Sequence, residues 1–200
     1  MPGSELFQTI IYSDNSLLVV NKPAGLRTIP DGYDPTLPHL SGSLTPEYGR
    51  VWTVHRLDKD TSGVIVFARS AESHRSLNAQ FSARETRKEY HALVVGLPAW
   101  DEQQINLRLR VNGDRRHRTV VDAWRGKPAT TSFTVLARYP AYSLALISAQ
   151  PHTGYTHQIR AHLAAIQFPV LADALYRAQL PFDITPPPLP ITRTALHAFR

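Results

Sequence analysis

Residues 55–63 read His-Arg-Leu-Asp-Lys-Asp-Thr-Ser-Gly. Nine residues thus gather an imidazole, a guanidinium, two carboxylates and two hydroxyls, with apolar segments at 51–54 and 64–67 on either side. A polar loop pinned at both ends by core is well placed to hold a reactive side chain still. Asp58 and Asp60 could divide acid and base roles, as the carboxylate pair of a glycoside hydrolase does. The competing reading is a turn whose Asp and Ser side chains cap backbone groups.

A second polar cluster runs from His152 to His162. Three histidines suggest a metal, but His157 and His162 are five apart, about 500° around a helix, and face different sides. A helical metal pair sits four apart, so packing and capping histidines are the simpler reading. Arg160 lies beside the apolar stripe of Ile159 and Leu163. A guanidinium at such an edge needs a carboxylate partner, for which the Asp58 loop is the expected source. A third cluster, 87–92, leads charges into a strand with Tyr90 near its start. The ordinary fate of a strand tyrosine is to pack at a core edge.

The elements that must position these groups follow from hydrophobic period and turn chemistry. Residues 16–21 read as a buried strand entering the turn Lys22-Pro23-Ala24-Gly25. Residues 28–48, rich in Pro, Gly and Asp, read as a long surface loop. Ser62-Gly63 reads as a turn before the strand at 64–67. Residues 70–84 form a helix capped by Ser70, with Leu77 and Phe81 on one face. A strand at 89–95 stops at Gly96 and Pro98. Residues 105–110 and 119–124 suit a hairpin across Asn112-Gly113-Asp114, with a basic tip of Arg115, Arg116, His117 and Arg118. Strands at 131–138 and 142–149 flank Tyr139-Pro140, and a helix at 156–167 buries Ile159, Leu163 and Ile166. Five prolines in 181–190 exclude regular structure there, and 194–199 forms a last strand. Hairpin-like pairs of strands with two helices predict an α+β fold, a mixed, largely antiparallel sheet with flanking helices.

Composition bounds the chemistry. The 200 residues contain no Cys, which excludes disulfides, thiolate metal sites and cysteine nucleophiles. A net charge of +6 on 19% charged residues is globular with a basic tilt, and favours a polyanionic partner. No apolar run approaches the ~20 residues of a membrane span, and residues 1–15 lack the pattern of an export signal. A cytoplasmic protein without membrane association is expected.

Together these clusters resemble the pseudouridine synthases of the RluA-like branch. His55-Arg56-Leu57-Asp58 with Thr61-Ser62-Gly63 resembles that family's central motif. Asn21-Lys22-Pro23-Ala24-Gly25 resembles its N-terminal strand and turn, and Lys88-Glu89-Tyr90 through Gly96 its tyrosine strand. Gly126-Lys127-Pro128-Ala129 with Thr131 and Phe133 is similar to a later segment. Thr153-Gly154 with Thr156-His157-Gln158-Ile159-Arg160 and His162 resembles its arginine helix, and Leu196-His197-Ala198 its last segment. All occur in family order.

The resemblance implies the pseudouridine synthase fold with a central catalytic cleft, and isomerisation of uridine to pseudouridine in structured ribosomal or transfer RNA. It implies no cofactor and no metal. Asp58 is then the catalytic carboxylate, attacking the sugar or abstracting a sugar proton. Arg160 favours its charged form, and Tyr90 stacks on the uracil and helps remove a proton. Arg56 enters the space left by the displaced nucleotide. His55, Thr61, Tyr155, His157 and Gln158 complete the expected substrate contacts. Arg115, Arg116 and Arg118, with Arg75 and Arg84, are expected at phosphates. The chain departs from the family at Tyr155, where an Arg is usual, and at Leu171-Ala172-Asp173, where Leu-Gly-Asp is usual. It reads as one catalytic domain over 1–200, short at its C-terminus, without a separate N-terminal RNA-binding domain, and a monomer. The alternatives are a hydrolase using Asp58 and Asp60, and a non-catalytic RNA-binding module on the same fold.

Overall fold

The computed structural model describes residues 10–176 and 190–200. The proline-rich stretch lies, up to residue 189, outside the described residues. In chain order the strands are β1 (Ile10–Ser13), β2 (Leu17–Lys22), β3 (Trp52–Thr53), β4 (Ser62–Ala68), β5 (Tyr90–Val95), β6 (Glu102–Arg110), β7 (Val120–Val121), β8 (Lys127–Tyr139), β9 (Leu144–Pro151) and β10 (Leu196–Ala198). The helices are α1 (Leu40–Tyr48), α2 (Ala71–Ala83) and α3 (Gln158–Ala165). The described residues fall into two compact units, 10–87 with 197–200, and 88–176 with 190–196. The pairings β1–β2, β2–β4, β3–β4, β5–β9, β6–β7, β6–β8 and β8–β9 are antiparallel and that of β10 with β4 is parallel, so the fold is the mixed α+β type that the sequence predicts.

In the first unit β4 is central. It pairs with β2 from Leu17↔Ala68 to Lys22↔Gly63, with β3 at Trp52 and Thr53, and in parallel with His197 and Ala198 of β10. Leu18, Val20 and Lys22 occupy the inward phase of β2 and are fully buried. Helix α2 starts as expected: Ser70 Oγ accepts the Ser73 N–H, and Ser73 Oγ accepts the Ser70 N–H, a reciprocal capping box.

Two expectations fail here. Residues 28–48 are not a continuous loop, because α1 occupies 40–48. Leu40 and Leu44, one turn apart, are both buried, and their burial outweighs the poor helix propensity of Gly42 and Pro46. Ser62-Gly63 is not a turn but the opening of β4. Gly63 has φ +117°, and a Cβ there would collide with the backbone oxygen of Ala198, so the close approach of β10 demands glycine.

In the second unit the strand order is β5-β9-β8-β6-β7. Helix α3 lays Ile159 and Leu163 on a core formed by Ala92, Val94, Phe133, Ile147 and Ala149, with Ile166 partly buried against it. Each buried Ile, Leu, Val or Phe among these contributes about 2 kcal/mol. The hairpin expected from 105–110 and 119–124 is present only in part. β7 is two residues long, and the main partner of β6 is β8, over Glu102↔Thr134 to Leu109↔Lys127. Tyr142 lies in a short 3-10 turn before β9 rather than in the strand. His157 stands at the N-cap of α3 with φ +56° and makes no side-chain cap bond.

Candidate active site

The loop 55–61 is fastened at each residue that faces inward. Leu57 is buried, and Thr28 clamps it from both sides: Thr28 Oγ1 donates to the Leu57 carbonyl (2.9 Å) and accepts the Leu57 N–H (3.2 Å). Leu57 lies in the core, while its neighbours Arg56 and Asp58 are exposed and half-buried, respectively. The Asp58 carbonyl accepts the Thr61 N–H (3.1 Å), and Thr61 itself is buried. His55 stacks on Phe81 of α2 (4.6 Å), and its Nε2 accepts the Val66 N–H (3.1 Å). Nε2 as acceptor places the proton of the neutral ring on Nδ1.

Beneath this loop sits Lys22. Its Nζ donates to the carbonyls of Pro23 (2.8 Å), Leu26 (2.6 Å) and Lys59 (3.0 Å), and the Gly25 N–H adds a bond to Lys59 (2.8 Å). Burial lowers the ammonium pKa to about 8, against the opposing pull of the Asp60 and Asp58 charges. One buried cation therefore fastens the turn after β2 to the loop carrying Asp58.

In the second unit Arg160 is 4% exposed and holds Asp173, which is fully buried, through two parallel bonds, Nε–Oδ2 2.7 Å and Nη2–Oδ1 2.8 Å. The sequence points to the Asp58 loop for the carboxylate that this edge of α3 requires; the bidentate partner in the structure is Asp173, whose two oxygens match the guanidinium fork. Asp173 Oδ1 also accepts the N–H groups of Leu175 and Tyr176. The Tyr176 ring lies under the Arg160 guanidinium (5.1 Å), while its hydroxyl bonds both the N–H and the carbonyl of Thr119. His157 meets the same ring edge-on, with Nδ1 3.3 Å from the hydroxyl.

Gln158 is buried and uses all four hydrogen-bonding positions of its amide. Oε1 accepts from Thr153 Oγ1 (2.8 Å) and the Tyr155 N–H (3.1 Å), and Nε2 donates to the Thr130 carbonyl (3.0 Å) and Thr131 Oγ1 (3.0 Å). Its geometry is that of a clasp holding the 153–155 turn, with Tyr155 half-buried on it. His162 is fully buried with Nδ1 2.9 Å from Thr131 Oγ1, and burial lowers its pKa to about 4. Tyr90 opens β5 opposite Ala149, half-buried against the core.

The basic tip is organised by Asp114, whose carboxylate accepts the N–H groups of Arg116 and Arg118 and pairs with Arg118 Nε (2.6 Å). Those backbone bonds, Arg118's first, hold Asp114 below the usual carboxylate range. Arg118 also donates to the Leu175 carbonyl (3.2 Å) and is half-buried, whereas Arg115 and Arg116 are exposed, Arg116 with a long bond to the Ala174 carbonyl (3.5 Å). Lys22, Thr28, Asp173 and Tyr176 are positioning residues to which the motif reading assigns no role.

The loop thus carries Asp58 next to a residue clamped in the core. The family model for RNA pseudouridylate synthase matches residues 16–165. A dual-specificity RNA pseudouridine synthase RluA from Pasteurella multocida is 36% identical over 197 residues, covering 98% of this chain and 87% of the relative. The enzyme of the same name from Haemophilus influenzae is 39% identical over 175 residues, 88% of this chain and 80% of the relative. Among solved structures, human RNA pseudouridylate synthase domain containing 1 superposes with a TM-score of 0.77 at 28% identity, covering 96% of this chain and 76% of that one. Human RNA pseudouridylate synthase domain containing 4 gives 0.75 at 25%, covering 98% and 84%. The chain belongs to the RNA pseudouridylate synthase family. It is an isomerase that forms pseudouridine in RNA, and neither the carboxylate-pair hydrolase nor the non-catalytic module is favoured.

Proposed function

We propose that this enzyme modifies uridines in ribosomal or transfer RNA, with Asp58 as the carboxylate that reacts at the sugar. The observation that carries the assignment of Asp58 is the double clamp of Thr28 on Leu57, which fixes the backbone next to that carboxylate. The uracil leaves C1′ at N1, turns, and rejoins through C5; C5 loses a proton and N1 gains one, so no oxidant or reductant enters. Tyr90 offers a ring to stack on the uracil and a hydroxyl to take part in the proton transfer. Arg160, which Asp173 holds in a fixed orientation, takes the role of favouring the charged form of the reacting carboxylate that the family resemblance implies. Arg56, exposed next to Asp58, replaces stacking lost when the target nucleotide leaves its helix. Arg115 and Arg116 contact phosphates, and His55, Thr61, His157 and Gln158 support the contacting surfaces from behind. Two dual-specificity relatives support an enzyme with more than one RNA substrate. No helix among the described residues is long and apolar enough to cross a membrane. The proposed enzyme is a cytoplasmic monomer acting on free RNA.

The test is incubation of the protein with unmodified ribosomal and transfer RNA, each mapped for pseudouridine. New pseudouridine at defined positions in either pool supports the assignment. Formation in neither, from a folded protein, overturns it.

A further inference from the structure

Residues 108–127 hold seven of the chain's Lys and Arg residues and two Asp, a surplus of five positive charges in a chain whose total is +6. The two carboxylates are already committed: Asp114 pairs with Arg118 (2.6 Å) and Asp122 with Arg110 (2.7 Å). Arg108, Arg115, Arg116, Arg125 and Lys127 remain, and all five are exposed. In the same segment Trp124 is 92% exposed. An indole so placed adds nothing to the core, yet its backbone is fixed. Asp122 Oδ1 accepts the N–H groups of Trp124 (3.1 Å) and Arg125 (2.9 Å), and the Gly126 N–H closes the turn on the Asp122 carbonyl (2.9 Å). The Asp122 N–H bonds the Arg108 carbonyl (2.9 Å), and a Cβ on Gly126 would meet that residue's backbone at 2.7 Å, so the turn is seated directly on β6.

We propose that Trp124 is a stacking platform for an unpaired nucleotide of the substrate RNA, other than the reacting uridine, with the surrounding cations on the phosphates beside it. The proposal rests on the RNA-modifying assignment above and adds a binding subsite to it. The chemistry selects this occupant. A solvated aromatic side chain on a fixed turn accepts any base, exposed cations of the same segment accept the backbone, and the combination is how single-stranded nucleic acid is held without sequence readout. A paired base inside a helix has both faces covered and cannot use the indole. The subsite therefore favours RNA with a loop or bulge over a continuous duplex.

The test compares binding of a fluorescein-labelled RNA hairpin carrying a seven-nucleotide loop with binding of a blunt duplex of equal charge, across a salt series. Trp124→Ala should weaken hairpin binding roughly tenfold, leave duplex binding within about twofold and leave the salt slope unchanged. Trp124→Tyr should restore most of the hairpin affinity. Arg125→Ala should weaken both RNAs and lower the salt slope by about one. Hairpin binding by Trp124→Ala equal to wild type, or an equal loss for both RNAs, overturns the stacking role. Pseudouridine formation by the wild-type protein is measured in parallel. An active wild type with an indifferent Trp124→Ala sinks the subsite alone, whereas an inactive wild type sinks the functional assignment.

Discussion

Acid should destabilise this protein through His162, and by an amount that the structure sets. The imidazole is fully buried on α3, and burial lowers its pKa from 6.5 to about 4. Between those values the unfolded chain binds a proton that the folded chain refuses, so stability rises with pH in this window and is lost as pH falls through it. The full loss is about 3 kcal/mol by pH 4, at ~1.4 kcal/mol per pKa unit, and about 2 kcal/mol by pH 5. His162→Gln removes the titration while keeping a group able to bond Thr131 Oγ1. Urea denaturation of both proteins at pH 7, 6 and 5 isolates the effect, because the lowered carboxylates Asp14, Asp31, Asp114 and Asp122 are common to both. The wild type should lose about 2 kcal/mol more than the variant between pH 7 and pH 5. Parallel losses would refute the link between burial of this ring and acid sensitivity.

Two further substitutions test the backbone frame. Gly63→Ala meets both a positive φ and the backbone of Ala198, and should cost at least about 3 kcal/mol, read as a lower urea midpoint; a midpoint near wild type would show that β10 can retreat. Ala172 has φ +56°, the left-handed conformation for which the family's usual glycine is suited. Ala172→Gly should therefore gain about 0.5–1 kcal/mol and raise the melting temperature by roughly 2 °C; a lower melting temperature would count against strain at this turn.

The strands that position the site were legible because alternation and β-branched runs mark them, and α2 because Ser70 announces its cap. Helix α1 was hidden: Gly42, two serines and Pro46 mask the one signal it carries, Leu40 and Leu44 a turn apart. Lys22 left a readable trace, since it continues the inward phase of Leu18 and Val20 and a lysine there must be tied down. Asp173 left another, as a carboxylate directly after the apolar Val170-Leu171-Ala172 run. Thr28 left none, because its role depends on a chain crossing 29 residues away in sequence. Motif chemistry is local and survives in one dimension; the clamps that hold it are contacts between distant segments.

The central claim is that Asp58, alone among the carboxylates of its loop, carries the reaction. Its direct test is pseudouridine formation in bulk RNA by Asp58→Asn and Asp60→Asn proteins, each shown by urea denaturation to be folded. Asp58→Asn should form none, and Asp60→Asn should retain most of the wild-type yield. Product from folded Asp58→Asn would contradict the account.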